Sequence, residues 1–270
     1  MEHKFLFLLG AGASVSSGLP TYRGKNGLYS NPEITELLTD KKIKETPKKV
    51  WHEINKIGKL IKDVKLGPTY KTLKRISDLS NSYFITQNVD GLIYKAGIPT
   101  EKVWELHGNL RTMTCMTCGF VQSIHFDNPK CKGNRFDADG QLSKMICGEY
   151  CRPDIVLFNE TINNQSYMYA LEWIKKYRPT HVIIVGTTLQ FGYLQHIVHC
   201  ANNEGAQIIN INPGQIELSK RHIVHYANDE GAQIINVNPG QAELLDKHIH
   251  YKMTSDIGLS YFEKTYLPNK

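Results

Sequence analysis

Lys4-Phe5-Leu6-Phe7-Leu8-Leu9-Gly10-Ala11-Gly12-Ala13-Ser14 reads as a short apolar strand that stops at a glycine turn. Small residues follow and lead toward a helix, with Ser14, Ser16 and Ser17 available as caps. Strand, glycine turn and helix together place a pyrophosphate on backbone N–H groups at a positive helix end. Gly10 and Gly12 would let the backbone approach such phosphates with no Cβ in the way. Two parts of the usual dinucleotide fingerprint are missing. Ala13-Ser14-Val15 supplies no third glycine, and no acidic residue closes a second strand some twenty residues on. The turn alone therefore leaves a dinucleotide site and a plain tight turn both open. A secretory signal is also excluded as the better reading: the apolar core is short and Glu2 precedes it, so the stretch is expected to be the first strand of the fold.

At 270 residues the chain can bury one large α/β core with a smaller insertion. Apolar content of 41% and charged content of 21% are ordinary for a globular protein. No run approaches the roughly 18 apolar residues of a membrane span. The formal charge of +6 is mild, and the lysines at 41, 42, 44, 48 and 49 read as solvated helix faces. Membranes and nucleic acid are therefore not expected as direct partners. No targeting signal is visible, which makes the cytoplasm the default expectation. Five of the six cysteines (Cys115, Cys118, Cys131, Cys147 and Cys151) are clustered, whereas Cys200 stands apart. Such clustering inside an α/β pattern points to zinc rather than to a disulfide scaffold.

Residues Gly24 to Lys62 are lysine-rich and helical in pattern, with Val50, Trp51, Ile54, Ile57 and Ile61 on one apolar face. Tyr70 to Leu79 repeats the pattern. Tyr83 to Thr86 is expected as a buried strand ending in Gln87, Asn88 and Asp90, and the carboxyl ends of strands are where open α/β sheets bind ligands. An Asx cap would use Asn88 or Asp90, but not all three polar residues. Val103 to Leu110 is expected as the next strand, carrying His107-Gly108. Cys115-x-x-Cys118-Gly119 is a zinc-knuckle pattern. Its partners must come from Cys131, Cys147 and Cys151, because Lys144 stands where a second Cys-x-x-Cys would begin. Four thiolates fill a tetrahedral site and leave no open position, so the role is folding.

Arg152 to Glu160 is expected as another apolar strand, Tyr167 to Tyr177 as a helix, and His181 to Leu189 as a buried strand closing on Gly186, Thr187 and Thr188. A tandem repeat follows, in which 19 of the 26 positions from His196 to Arg221 recur identically in residues 222–247. Each unit reads as one helix and one strand, added as an αβ layer at a sheet edge or left peripheral. A final strand from His248 to Met253 and a short helix from Ser260 to Leu267 end the pattern.

Together these segments resemble the sirtuins, the NAD-dependent protein-lysine deacylases. The resemblance rests on Gly10-Ala-Gly-Ala-Ser14, Ser17-Gly-Leu-Pro-Thr-Tyr-Arg23, Thr86-Gln-Asn-Val-Asp90, His107-Gly108, the cysteine ribbon, Arg152-Pro-Asp-Ile-Val156, Phe158-Asn-Glu160 and Gly186-Thr-Thr-Leu189. It implies a Rossmann-like parallel sheet (residues 1–28, 63–112 and 152–270) with a small inserted domain made of a helical cap (29–62) and a zinc ribbon (113–151). The implied cofactors are NAD and zinc. NAD would place its pyrophosphate on Gly10, Ala11, Gly12, Ala13 and Ser14, with Thr21, Tyr22, Arg23, Gln87, Asn88 and Asp90 toward the nicotinamide end. Gly186, Thr187 and Thr188 would hold the adenosine ribose with Asn212, or with Asn238 of the second repeat.

By the same resemblance His107 is a general base on a ribose hydroxyl, while Asn88 and Asp90 grip the carboxamide. An acyl-lysine peptide would lie as a strand against Val156, Phe158, Asn159 and Glu160 and the Phe191-Gly192-Tyr193 stretch. The zinc ligands would be Cys115, Cys118, Cys131 and Cys147, because Cys151 takes a normally apolar position. Thr21 replaces a common acid and Asn159 a common glycine. The helical cap lacks the Tyr-x-x-Arg pair that reads dicarboxylic acyl groups, which favours acetyl-lysine. The products would be deacylated lysine, nicotinamide and an O-acyl-ADP-ribose. An ADP-ribosyltransferase or NAD hydrolase would share the cofactor residues, and a non-catalytic zinc-ribbon module is the remaining alternative.

Overall fold

The computed structural model describes residues 3–21, 27, 31–136, 141–212, 234–237 and 254–267. Strand β1 (Lys4–Leu9) lies inside a six-stranded parallel sheet, between β2 (Asn81–Thr86) and β9 (His181–Val185). Beyond β2 the sheet ends with β3 (Val103–Glu105); beyond β9 it continues with β10 (Gln207–Ile211) and β11 (Ile234–Val237). Phe5, Phe7 and Leu9 face helix α4 (Pro68–Leu79) and the closing helix Ser255–Tyr266. Leu6 and Leu8 face α6 (Asn164–Tyr177) and α7 (Gly192–Asn203). All five are fully buried, each contributing roughly 1.5–3 kcal/mol. Burial on both faces is why this strand reads as an unbroken apolar run.

Chain order runs outward from β1 to β3 and then reverses through β9 to β11. The crevice of such a sheet opens where the order reverses, at the carboxyl ends of β1 and β9. Its two glycine turns, at Gly10 and Gly186, therefore meet there.

Residues 103–110 do not form the single strand expected. After β3 the chain turns at Leu106 and His107, and β4 (Gly108–Cys115) starts a different sheet, antiparallel to β5 (Val121–Ser123) and β8 (Cys151–Ile155). Gly108 makes the handover possible. Its φ is +70°, and a Cβ there would sit 2.1 Å from the Asp154 carbonyl oxygen. The strand expected from Arg152 onward likewise ends at Ile155, in this second sheet. Short strands β6 (Asn134–Phe136) and β7 (Leu142–Ile146) pair beside it. Helices α1 (Pro32–Leu37), α2 (Asp40–Glu45) and α3 (Pro47–Lys62) cover this region. The face of α3 formed by Val50, Trp51, Ile54 and Ile57 packs with the cysteines, and Trp51 Nε1 donates to the Cys151 carbonyl at 2.7 Å.

The serines after the first turn cap a different helix from the one expected. Ala11–Ser17 is a 3₁₀ turn with no side-chain cap. Ser17 Oγ accepts from Gly67 N at 2.9 Å and Ser16 Oγ from Thr69 N at 3.4 Å, closing the start of α4 instead. The repeat adds a strand at the sheet edge: β10 and β11 pair in parallel with Ile208 opposite Ile234, a register offset equal to the repeat period. The second copy's helix, Asn238 and the strand expected at His248 to Met253 lie outside the described residues.

His181, on β9, is 5% exposed among Phe5 and Tyr266. Burial, and then the nearby His3, push its pKa down from 6.5 to about 4. The fold thus holds the neutral form, and the unfolded chain binds the extra proton first. Stability is expected to decline as pH falls from about 6.5 toward about 4. Denaturation midpoints of the wild type and His181→Phe should diverge across that window, with the variant losing less.

Candidate active site and metal centre

At the crevice the two glycine turns lock together backbone against backbone. Gly10 N donates to Val185 O and Gly12 N to Gly186 O, both at 2.9 Å. A Cβ on Gly12 would lie 2.5 Å from Gly186 Cα, and one on Gly186, with φ of +66°, 2.3 Å from Ala13 N. These glycines are thus required by the approach of the two turns. The amides of Gly10 and Gly12 are thereby occupied within the protein. Gly186→Ala combines an unfavourable φ with a backbone collision, and should cost at least about 2 kcal/mol in chemical denaturation.

A cleft of about 390 Å³ opens beside these turns. It is lined by Gly10, Ala11, Gly12 and Thr21, by Gln87, Asn88 and His107, and by Gly186, Thr187 and Thr188. Its far wall comprises Val156, Phe158, Asn159 and Glu160, with Phe191 and Tyr193 at the start of α7. Gln87 ties the two sides together, donating from Nε2 to Thr187 Oγ1 at 2.9 Å. Asn212 stands behind the turn, donating from Nδ2 to the Thr187 carbonyl at 2.9 Å. Tyr22 and Arg23 lie outside the described residues.

Asn88 is buried, and its Nδ2 donates to the Gly10 carbonyl at 2.9 Å. That carbonyl can only accept, which fixes the amide's orientation. Nδ2 also reaches Tyr70 OH at 3.2 Å and Ser14 Oγ at 3.3 Å. Ser14 gives its own proton to Asp90 Oδ2 at 2.6 Å, so the Tyr70 hydroxyl donates to Ser14. Tyr70, in the first turn of α4, is the hub of this network. Asn88 Oδ1 is left buried with no partner among the described residues. An orphaned acceptor costs about 1–3 kcal/mol, and an amide donor on a ligand would satisfy it.

Asp90 looks the other way, into a smaller hollow with Ala11, Leu19, Pro20 and Ile57. Burial pushes its pKa up, opposed by the hydrogen bonds from Ser14 and from Leu92 N. Asn88 thus lines the cleft with His107 and Asp90 lines the smaller hollow, while Ser14 Oγ bridges the two side chains.

His107 occupies the turn between β3 and β4. Its Nδ1 lies 3.0 Å from the Gln87 carbonyl and its Nε2 2.6 Å from the Tyr193 hydroxyl. A carbonyl oxygen only accepts, so Nδ1 carries the proton and Nε2 is the basic nitrogen. Geometry of this kind is what a general base requires.

The far wall is held by Glu160, which takes two bonds from Arg152 (2.7 and 2.8 Å) and one from Leu157 N at 2.8 Å. Val156 N donates to the His107 carbonyl and Phe158 N to the Leu38 carbonyl. Asn159 has φ of +68°. That left-handed conformation explains why glycine suits this position and why asparagine is a tolerable substitute.

Away from the cleft, Cys115, Cys118, Cys131 and Cys147 bring their sulfurs within 4.8 Å of one another. The Cys115–Cys147 and Cys118–Cys131 pairs are 3.8 and 3.6 Å apart. Zinc–sulfur bonds of about 2.3 Å in a tetrahedron demand sulfurs roughly 3.8 Å apart, so the four fit zinc. Thr117 N and Cys118 N point at Cys115 Sγ, and Gly133 N points at Cys131 Sγ, orienting the thiolates. Cys151 is not among the four. Its thiol is buried, with a pKa pushed up to about 12, chiefly by burial.

Residues 10–192 match the Sir2 family. The chain is 34% identical over 220 residues to the NAD-dependent protein deacylase of Aquifex aeolicus, covering 79% of this chain and 84% of that protein. It is 31% identical over 207 residues to the NAD-dependent protein deacylase of Thermococcus kodakarensis, covering 75% and 77%. Among solved structures, a Sir2 homologue in complex with NAD shares the fold with a TM-score of 0.71 at 24% identity, covering 98% of this chain and 90% of the other. A Sir2 protein with a deacetylated p53 peptide and 3'-O-acetyl-ADP-ribose gives 0.70 at 20% identity, covering 97% and 93%. A glycine-locked crevice, a cleft histidine and a four-thiolate centre are thus carried by a chain that belongs to the Sir2 family.

Proposed function

We propose that this chain is a NAD-dependent protein-lysine deacylase acting on acetyl-lysine peptides. The observation that carries the reading is the pairing, in one cleft, of an unpartnered buried acceptor on Asn88 with a basic nitrogen on His107. Asn88 Oδ1 suits the N–H of a carboxamide and would hold the nicotinamide end in place. His107 Nε2 would take the proton of a ribose hydroxyl as a general base. NAD, when bound, supplies the electrophilic ribose carbon and the nicotinamide leaving group. Thr187, Thr188 and the Asn212 behind them would orient the adenosine ribose.

The acyl-lysine peptide would lie along Val156 to Glu160. The amides of Val156, Leu157, Phe158 and Glu160 are already donated within the protein, so a peptide strand must donate to the carbonyls of this segment. Among the described residues lining the cleft, Glu160 is the one acidic side chain, no lysine or arginine is present, and Arg152 pairs with Glu160. An acyl group bearing its own carboxylate would meet no cation among these described residues, which supports acetyl or another neutral acyl group. The four-thiolate centre would hold zinc as a structural ion. Cysteines kept as thiols also suit a reducing compartment such as the cytoplasm. Among the described residues, no helix is long and apolar enough to cross a membrane.

The test is nicotinamide release from NAD with and without an acetyl-lysine peptide, in the wild type and in Asn88→Ala. Peptide-dependent release, with deacetylated peptide formed in step and both reduced in the variant, is the expected result. Release that ignores the peptide would move the assignment to an NAD hydrolase or an ADP-ribosyltransferase.

A further inference from the structure

Tyr193 places its hydroxyl 2.6 Å from His107 Nε2, the nitrogen that the reaction needs free. The valence of the ring makes this contact decisive. With Nδ1–H committed to the Gln87 carbonyl 3.0 Å away, a neutral imidazole has a single lone pair, on Nε2. The phenol must therefore donate to it, and one lone pair cannot also accept a ribose hydroxyl. Tyr193 sits on the first turn of α7 with its ring stacked on Phe191, the centroids 5.3 Å apart and the planes 12° apart. Its ring meets the imidazole edge-on at 6.1 Å. Both aromatic rings line the cleft, and Tyr193 is only partly buried, so the phenol can leave toward the cleft mouth.

We propose that Tyr193 is a removable cap on the base: its hydroxyl occupies His107 Nε2 in the ligand-free protein and is displaced when the cofactor's ribose arrives. The cap rests on the reading of His107 as the base. It makes Tyr193 a positioning residue, acting through His107 on cofactor affinity. The cap protects the tautomer and the orientation of the imidazole while the cleft is open, and it weakens cofactor binding by the hydrogen bond that the ribose must replace.

The experiment compares the wild type with Tyr193→Phe, which keeps the ring and its stacking and removes only the donor. In ligand-free protein labelled with ¹⁵N-histidine, with His107 assigned from the His107→Gln spectrum, the wild type should show Nδ1 protonated and Nε2 bare. In Tyr193→Phe the Nε2 resonance should move toward that of an unbonded acceptor, while Nδ1–H stays. ADP-ribose should bind the variant about 3- to 10-fold tighter by calorimetry, the worth of one net hydrogen bond. The KM for NAD should fall by a similar factor, without a matching rise in kcat.

A protonated Nε2 in the wild type overturns the proposal, as does equal or weaker ADP-ribose binding by the variant. A tenfold loss in kcat at unchanged KM also overturns it, since the phenol would then take part in the chemistry. If His107→Ala forms deacetylated peptide at the wild-type rate, the base assignment fails. The spectra and the ADP-ribose titration then decide the cap on their own.

Discussion

Replacing His107 with alanine is expected to slow deacylation by about 10²- to 10⁴-fold, the usual contribution of a positioned general base. The fold should survive. The backbone contacts that hold the turn do not involve the side chain: Leu106 N donates to Thr86 O at 3.0 Å, and Val156 N to the His107 carbonyl at 2.9 Å. The loss should therefore be specific to turnover, with zinc content and melting temperature close to those of the wild type. Steady-state rates of nicotinamide and deacetylated-peptide formation, measured beside a calorimetric melt, separate the two effects. A loss below tenfold in a fully folded variant would remove His107 from the chemistry and leave the cleft as a binding site.

Removal of the metal is expected to unfold the small sheet and the cap packed on it. Metal binding in such ribbons is folding free energy, with apparent values of about 10–16 kcal/mol in small zinc domains at neutral pH. Here the four ligand cysteines share one core with Trp51, Ile54, Met113 and Leu157. Leu38 and Phe158 carry that core to the cleft wall, through the bond from Phe158 N to Leu38 O at 2.8 Å. Stripping the ion with a strong chelator, or Cys115→Ser, should lower the melting temperature by more than about 10 °C and abolish peptide-dependent turnover.

Cys151→Ala should behave differently. It loses buried packing, roughly 1–2 kcal/mol, and keeps one zinc per chain by elemental analysis. Full zinc in Cys131→Ala with half the metal in Cys151→Ala would exchange the two residues in the ligand set.

Much of this was legible in the sequence because it depends on local chemistry. An apolar run ending at Gly10, the polar triplet after β2 and the knuckle at Cys115 each follow from residue type and spacing. The family resemblance follows from their order along the chain. Cys131 entered the ligand set by the same route, and the sulfur positions agree with it. The repeat left two outcomes open, an added layer at the sheet edge or a peripheral copy, and the parallel pairing of β11 with β10 in the repeat's register decides for the first.

What the tertiary structure decided is every relation between segments distant in the chain. Only the meeting of the two turns shows that Gly12 and Gly186 must both lack a Cβ because their backbones touch. Residues 103–110 look like one strand because β-propensity carries no information about which sheet a residue joins; the chain breaks at Leu106 and His107, and Gly108 opens β4 against β8 where the Asp154 carbonyl leaves no room for a Cβ. Asn88 and Asp90 share a motif yet face different hollows, because the chain after β2 is no longer extended and the polar network through Tyr70 and Ser14 fixes where each side chain ends. Tyr193 reaches His107 from 86 residues away. No local rule pairs them; the packing of α7 against the sheet does, and it determines which nitrogen of the imidazole the phenol meets.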